Sequence, residues 1–132
     1  VQALTKINSY LDYGAFTPLQ VAATVALNGP QKCVEDIRQI YKKRRDVLIE
    51  SFDRAGWHIP KPSASMFVWA PIPSKYISDG SMKFSKNLMN KADVAVAPGL
   101  AFGKHGEGFV RIGLVENTQR IRQAAKSIKK FL

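Results

Sequence analysis

At Gly56 the pattern of apolar residues changes its period. Before it, over residues 30–55, apolar side chains recur at Val34, Ile37, Ile40, Tyr41, Val47, Leu48 and Phe52, with Ser51 on the same stripe. That three-to-four spacing predicts one long amphipathic helix with charges on its outer face. After it, "GWHIPKPSASMFVWAPIP" is aromatic, β-branched and broken by prolines, and 66–70 reads as a strand. A chain that switches period in this way must fold as helices laid on a small sheet.

The rest of the chain fits that layer. "TPLQVAATVALNG" predicts a helix with Thr17 as N-cap, Pro18 at the first helical position and Gly29 as the stop. "DGSMKFSKNLMNKA" predicts a helix with Phe84, Leu88 and Met89 as apolar positions. "VAVAPG", 94–99, predicts a short strand, and "FVRIGLV" the next one. Asn117 is the expected cap of a last helix that turns Ile121, Ala124, Ala125, Ile128 and Leu132 inward. The expected class is α/β, as an α+β layer with a small sheet of three or four strands covered by helices. No repeat or low-complexity segment occurs, and nothing marks a second domain.

With 132 residues, 45% of them hydrophobic, the chain can bury a real core. No apolar run approaches the ~18 residues that span a bilayer. The start, "VQALTKINSYLDYG", lacks the pattern of a secretory leader. Only one cysteine is present, Cys33, so no disulfide forms within the chain and a reducing, cytoplasmic setting is expected. Cys33 is read as a small buried residue on a helix. One Cys and two distant His make a zinc site a poor fit.

A net charge of +10 admits two readings. "KKRR" at 42–45 and the basic last helix are either solvated helix faces or a surface for nucleic acid or an acidic partner. Aromatic residues are not interleaved with these charges as stacking platforms would be. The loop "PGLAFGKHGEG" is rich in glycine, but its spacing and the strand that follows are wrong for a phosphate loop. Its glycines are expected to supply turns and close backbone approach. His105 is read as an exposed loop residue. Ser63, Ser65 and His58 form no hydrolase pattern, and His58 is read as a buried or half-buried structural histidine.

Arg111 stands in the middle of "FVRIGLV". Alternation puts Phe109, Arg111, Gly113 and Val115 on one side of the strand, and Val110, Ile112 and Leu114 on the other. A guanidinium stays charged at any working pH and is costly to bury unpaired. Its partner is either an internal acid, Glu107 or Glu116, or a carboxylate from outside the protein, which Arg recognises with two parallel hydrogen bonds.

The segments "SYLDYGAFTPLQVAATVAL", "PSASMFVWAPIP" and "VAVAPGLAFGKHGEGFVRIGLVEN" resemble the C-terminal part of the class I/II, pyridoxal-phosphate-dependent aminotransferases of fold type I. The likeness is greatest to the bacterial alanine aminotransferase branch and its aspartate and diaminopimelate relatives. It covers nearly the whole chain, and the "PG..FG" turn followed by "VRI" is its most specific part. "PSAS" stands where many relatives carry two glycines, a form the alanine branch tolerates. The resemblance implies a cytoplasmic, homodimeric enzyme of amino-acid biosynthesis that moves an amino group between an amino acid of the alanine, aspartate or glutamate class and a 2-oxo acid. It implies that Arg111 binds the substrate α-carboxylate. Tyr13 and Phe16, in "LDYGAF", are candidates for a place near the partner subunit's active site; the other reading is packing under a helix start.

The Schiff-base lysine motif of such enzymes, of the Ser-x-Ser-Lys type, does not occur here, nor does the "AGWR"-like segment that follows it. The resemblance therefore makes residues 1–29 the entering segment and helix from a large domain, and 30–132 the small C-terminal domain. Pyridoxal 5'-phosphate would be held by an upstream part, no lysine of this chain takes the catalytic role, and the chain alone is expected to be inactive. The rival expectation is a basic module that binds nucleic acid or an acidic partner.

Overall fold

A computed structural model describes residues 1–11 and 14–132. The chain divides into two compact units, Val1–Asp36 and Ile37–Leu132. Among the described residues no helix is long and apolar enough to cross a membrane.

The first unit is helical. It holds α1 (Gln2–Leu11) and α2 (Thr17–Asn28), and neither helix buries a residue. No element was expected over α1. The cap of α2 is Phe16, one residue earlier than expected, and Thr17 is already helical. With Pro18 in the first turn, an N–H that would lack a helical partner is simply missing. Gly29 ends α2 in extended backbone, its N–H still donating to Val25 O at 2.8 Å.

The long helix α3 (Lys32–Arg54) begins in the first unit and runs into the second. Leu48, Ser51 and Phe52 on its stripe are buried, whereas Val34, Ile37 and Ile40 are exposed. Cys33 is exposed as well, contrary to expectation, because it lies on this uncovered first half.

In the second unit three antiparallel strands make a sheet of order β1-β3-β2, from β1 (Phe67–Pro71), β2 (Ala97–Pro98) and β3 (Phe109–Gly113). Helices α4 (Gly80–Ala92) and α5 (Thr118–Phe131) complete it. The strand expected over 94–99 shrinks to two residues, since the backbone turns into 3₁₀ geometry at Gly99–Phe102. Val68, Ala70, Val110, Ile112 and Leu114 are buried in one core with Leu48, Phe52, Phe84, Leu88, Ile121 and Ile128. Trp57 anchors that core: it stacks on Phe52, meets Phe84 edge-on, and its indole N–H donates to Pro71 O at 2.8 Å. Burial alternates from Trp57 to Ile59, and this leaves His58 on the outer side. His58 is thus exposed rather than buried, with Nδ1 at 3.0 Å from Asp53 Oδ1. Met89 is exposed too. The cap of α5 is as expected: Asn117 Oδ1 accepts from the N–H groups of Gln119 and Arg120, both at 3.0 Å.

Candidate functional site

Arg111 is the middle residue of the central strand. Across the ladder it faces Trp69 on β1 and Ala97 on β2. Its strand neighbours Val110 and Ile112 point into the core, so Arg111 points out of the other face. That face carries Phe67, Trp69, Phe109, Arg111 and Gly113, with Phe102 reaching in from the Gly99–Phe102 turn. The guanidinium carbon lies 4.2 Å from the centre of the Phe67 ring and 4.3 Å from that of Phe102. Trp69 meets Phe102 edge-on and stacks with Phe109, both with ring centres 5.7 Å apart.

No carboxylate among the described residues forms an ion pair with Arg111. Both acids named as possible partners are elsewhere. Glu116 is exposed beyond the end of β3. Glu107 sits at the N-terminus of α4. It accepts hydrogen bonds from the Ser81 N–H, from the Ser81 hydroxyl at 3.1 Å and from the Gly108 N–H at 3.1 Å. The Ser81 N–H, then that of Gly108, hold the Glu107 carboxyl below the usual glutamate range. Glu107 therefore caps a helix whose adjacent Asp79 makes no side-chain cap, and it complements the positive end of the helix dipole.

The glycine loop divides its labour. Gly103 and Gly108 take positive φ, +110° and +84°, which side chains rarely adopt. Gly99 and Gly106 instead pack backbone against backbone, and a Cβ on either would overlap the other's carbonyl. The same loop is tied to α4, where the Leu100 N–H donates to the buried Ser81 Oγ at 3.1 Å. His105 is exposed.

The basic run is half structural. The Arg44 guanidinium donates to Leu114 O at 3.0 Å, and Arg45 donates to Pro62 O at 3.2 Å while pairing with Asp46. Asp46 also pairs with Lys61 at 2.8 Å; that hydrogen bond, and then Arg45, lower its pKa against partial desolvation. Of the four, Lys42 and Lys43 are exposed and the two arginines half-buried.

Of the expected site residues, Arg111 lies on this aromatic face. Phe16 belongs to the first unit and is exposed. Tyr13 lies outside the described residues. Phe67 and Phe102 were not foreseen. Once the register sets Phe67 opposite Gly113, it becomes a diagonal neighbour of Arg111, within reach of a long side chain. Phe102 comes from a loop, and no periodicity points to it.

Residues 1–128 match the model of the aminotransferase class I and II family. The chain belongs to that family. It is 60% identical over all its 132 residues to a putative aminotransferase, AatC, of Rhizobium meliloti, and covers 33% of that protein. To the glutamate-pyruvate aminotransferase AlaC of Escherichia coli it is 55% identical over 98% of its length, covering 31% of AlaC. The substrate-bound structure of BacF from Bacillus subtilis superposes on 98% of the chain with a TM-score of 0.83 and 35% identity, over 33% of BacF. The chain thus spans about a third of the relatives it matches, and its fold is that of a part of a fold type I aminotransferase.

Proposed function

We propose that this chain is the substrate-carboxylate-binding part of a transaminase that exchanges an amino group between an amino acid and a 2-oxo acid. The observation that carries the reading is Arg111: a permanent charge, set among aromatic rings, with no carboxylate of the described chain paired to it. A planar carboxylate supplies the missing acceptor and is fixed in orientation by two parallel hydrogen bonds. Orientation is worth rate as well as affinity. The name of AlaC supports small substrates of the glutamate and pyruvate kind.

Pyridoxal phosphate, the cofactor of this family, supplies the electron sink when bound. Phe67, Trp69, Pro71, Ala97, Phe109, Arg111 and Gly113, the strand positions of the Arg111 face, include no amine to hold it covalently. We therefore place its attachment in a part of the enzyme outside this chain. We further propose a homodimer in which Tyr13 and Phe16 approach the partner subunit's site.

The test is made in the complete enzyme. Arg111→Ala loses hydrogen bonds to a charged partner of roughly 1.5–3 kcal/mol each. kcat/KM should then fall by at least about two orders of magnitude. Arg111→Lys keeps the charge without the planar fork and should fall between. Melting temperature is read beside single-turnover kinetics. If Arg111→Ala melts far lower while its folded fraction transaminates normally, Arg111 is a structural residue and the proposal is wrong.

A further inference from the structure

We propose that Phe67 and Phe102 are positioning residues that hold the Arg111 guanidinium ready for the substrate carboxylate. This rests on Arg111 being the carboxylate anchor.

Both rings lie well inside the ~6 Å within which a cation over an aromatic face is attracted. They come from the two sides of β3. Phe67 belongs to β1, which pairs with one edge of β3, and Phe102 follows β2, which pairs with the other. An acid in either place would neutralise the guanidinium and occupy its N–H donors. A ring attracts the charge yet offers no strong acceptor, so the donors stay available to a ligand. An arginine side chain is otherwise costly to order. Flanking it in the free protein removes part of that cost before the substrate arrives.

Each ring is itself held in place. Phe67 pairs across the ladder with Gly113, which has no side chain of its own to crowd the ring. Phe102 ends the turn Gly99–Phe102, and that turn is fixed at three points. Gly99 packs on Gly106, the Leu100 N–H donates to Ser81 Oγ, and the Gly103 N–H donates to Leu100 O at 3.1 Å. Trp69 braces Phe102 edge-on. Phe102 nevertheless remains 49% exposed, so it adds little to the core. A ring so firmly located meets Trp69 on one side and the Arg111 guanidinium on the other.

The test again uses the complete holoenzyme. Phe102→Leu and Phe67→Leu keep an apolar side chain and remove the π face; Phe102→Tyr keeps the face. kcat/KM is measured, with the affinity for an α-methyl amino acid that binds but has no Cα proton to lose, read by calorimetry. Phe102→Leu should lower both by roughly tenfold with little change in melting temperature. Phe102→Tyr should restore most of the loss. In an Arg111→Ala background, Phe102→Leu should cost nothing more, because its target is gone. The proposal is overturned if Phe102→Leu binds and reacts like wild type, or loses as much in the Arg111→Ala background as alone. Failure of the underlying reading looks different: Arg111→Ala by itself would then leave kcat/KM intact. If Arg111→Ala is crippling and both Leu variants are normal, only the positioning role falls.

Discussion

Gly99 and Gly106 lie so close that a Cβ atom on either would overlap the carbonyl oxygen of the other, and one on Gly99 would also stand 2.6 Å from Phe109 O. The atoms in the way are backbone, so nothing flexible can yield. Gly99→Ala should therefore destabilise by at least about 2 kcal/mol, at the upper end of what overpacking costs. Gly113→Ala is the contrast: its new Cβ would meet Val115 at 3.6 Å, an ordinary contact. That variant should stay within about 0.5 kcal/mol of wild type. Thermal denaturation of the two decides it, and equal melting temperatures would refute the packing argument.

Glu107 makes stability depend on pH in a definite direction. Hydrogen bonds from Ser81 and Gly108 hold its folded-state pKa below that of the unfolded chain. Its contribution is then present above the unfolded pKa and lost as pH falls through the folded one. Glu107→Gln should lower the melting temperature near neutrality. The gap to wild type should close as pH drops below the glutamate range, where wild type is protonated too. A gap that stays constant from neutral to acid pH would mean that Glu107 acts through shape and not charge.

The basic run 42–45 should split when mutated. Arg44→Ala removes a charged donor from Leu114 O, just beyond β3, and should cost about 1–2 kcal/mol. Lys43→Ala removes an exposed charge and should cost under about 0.5 kcal/mol. Denaturant titration of both variants checks the pair. Were Lys43→Ala the more damaging, the run would be a surface device and not half of a framework.

Periodicity was a good guide wherever one face is buried and the other wet. It located α3, α4, α5 and the two longer strands, because Leu48, Phe84, Ile112 and Ile121 repeat at the spacing of their element. It also predicted which residues share a side of β3 with Arg111, though not that this side is the one turned away from the core. It misjudged Val34 and Ile37, which share the stripe of α3, and Cys33 beside them, all of which are exposed. It misjudged His58 because a half-extended segment buries every second residue and His58 falls between Trp57 and Ile59. The aromatic flank of Arg111 was beyond it for another reason. Phe102 is brought in by backbone contact between two glycines, and a pattern of side chains says nothing about that.

The exposed stripe leads to a last expectation, that residues 37–132 fold without residues 1–36. Among the described residues, every buried hydrophobic one lies between Leu48 and Ile128, inside the second unit. By contrast, α1 and α2 bury no residue, and Leu4, Leu11, Leu19 and Leu27 are all at least 65% exposed. Cutting before Ile37 removes apolar surface from water and leaves the core residues in place. The shortened chain should melt cooperatively within a few degrees of the 132-residue chain. It should also associate less at high concentration, since uncovered apolar surface seeks a partner. Calorimetry and sedimentation velocity measure the two effects. A shortened chain without a cooperative transition would show that the first unit holds the second together, and one that associates as strongly as the whole would move the sticky surface to the sheet face around Trp69 and Phe102.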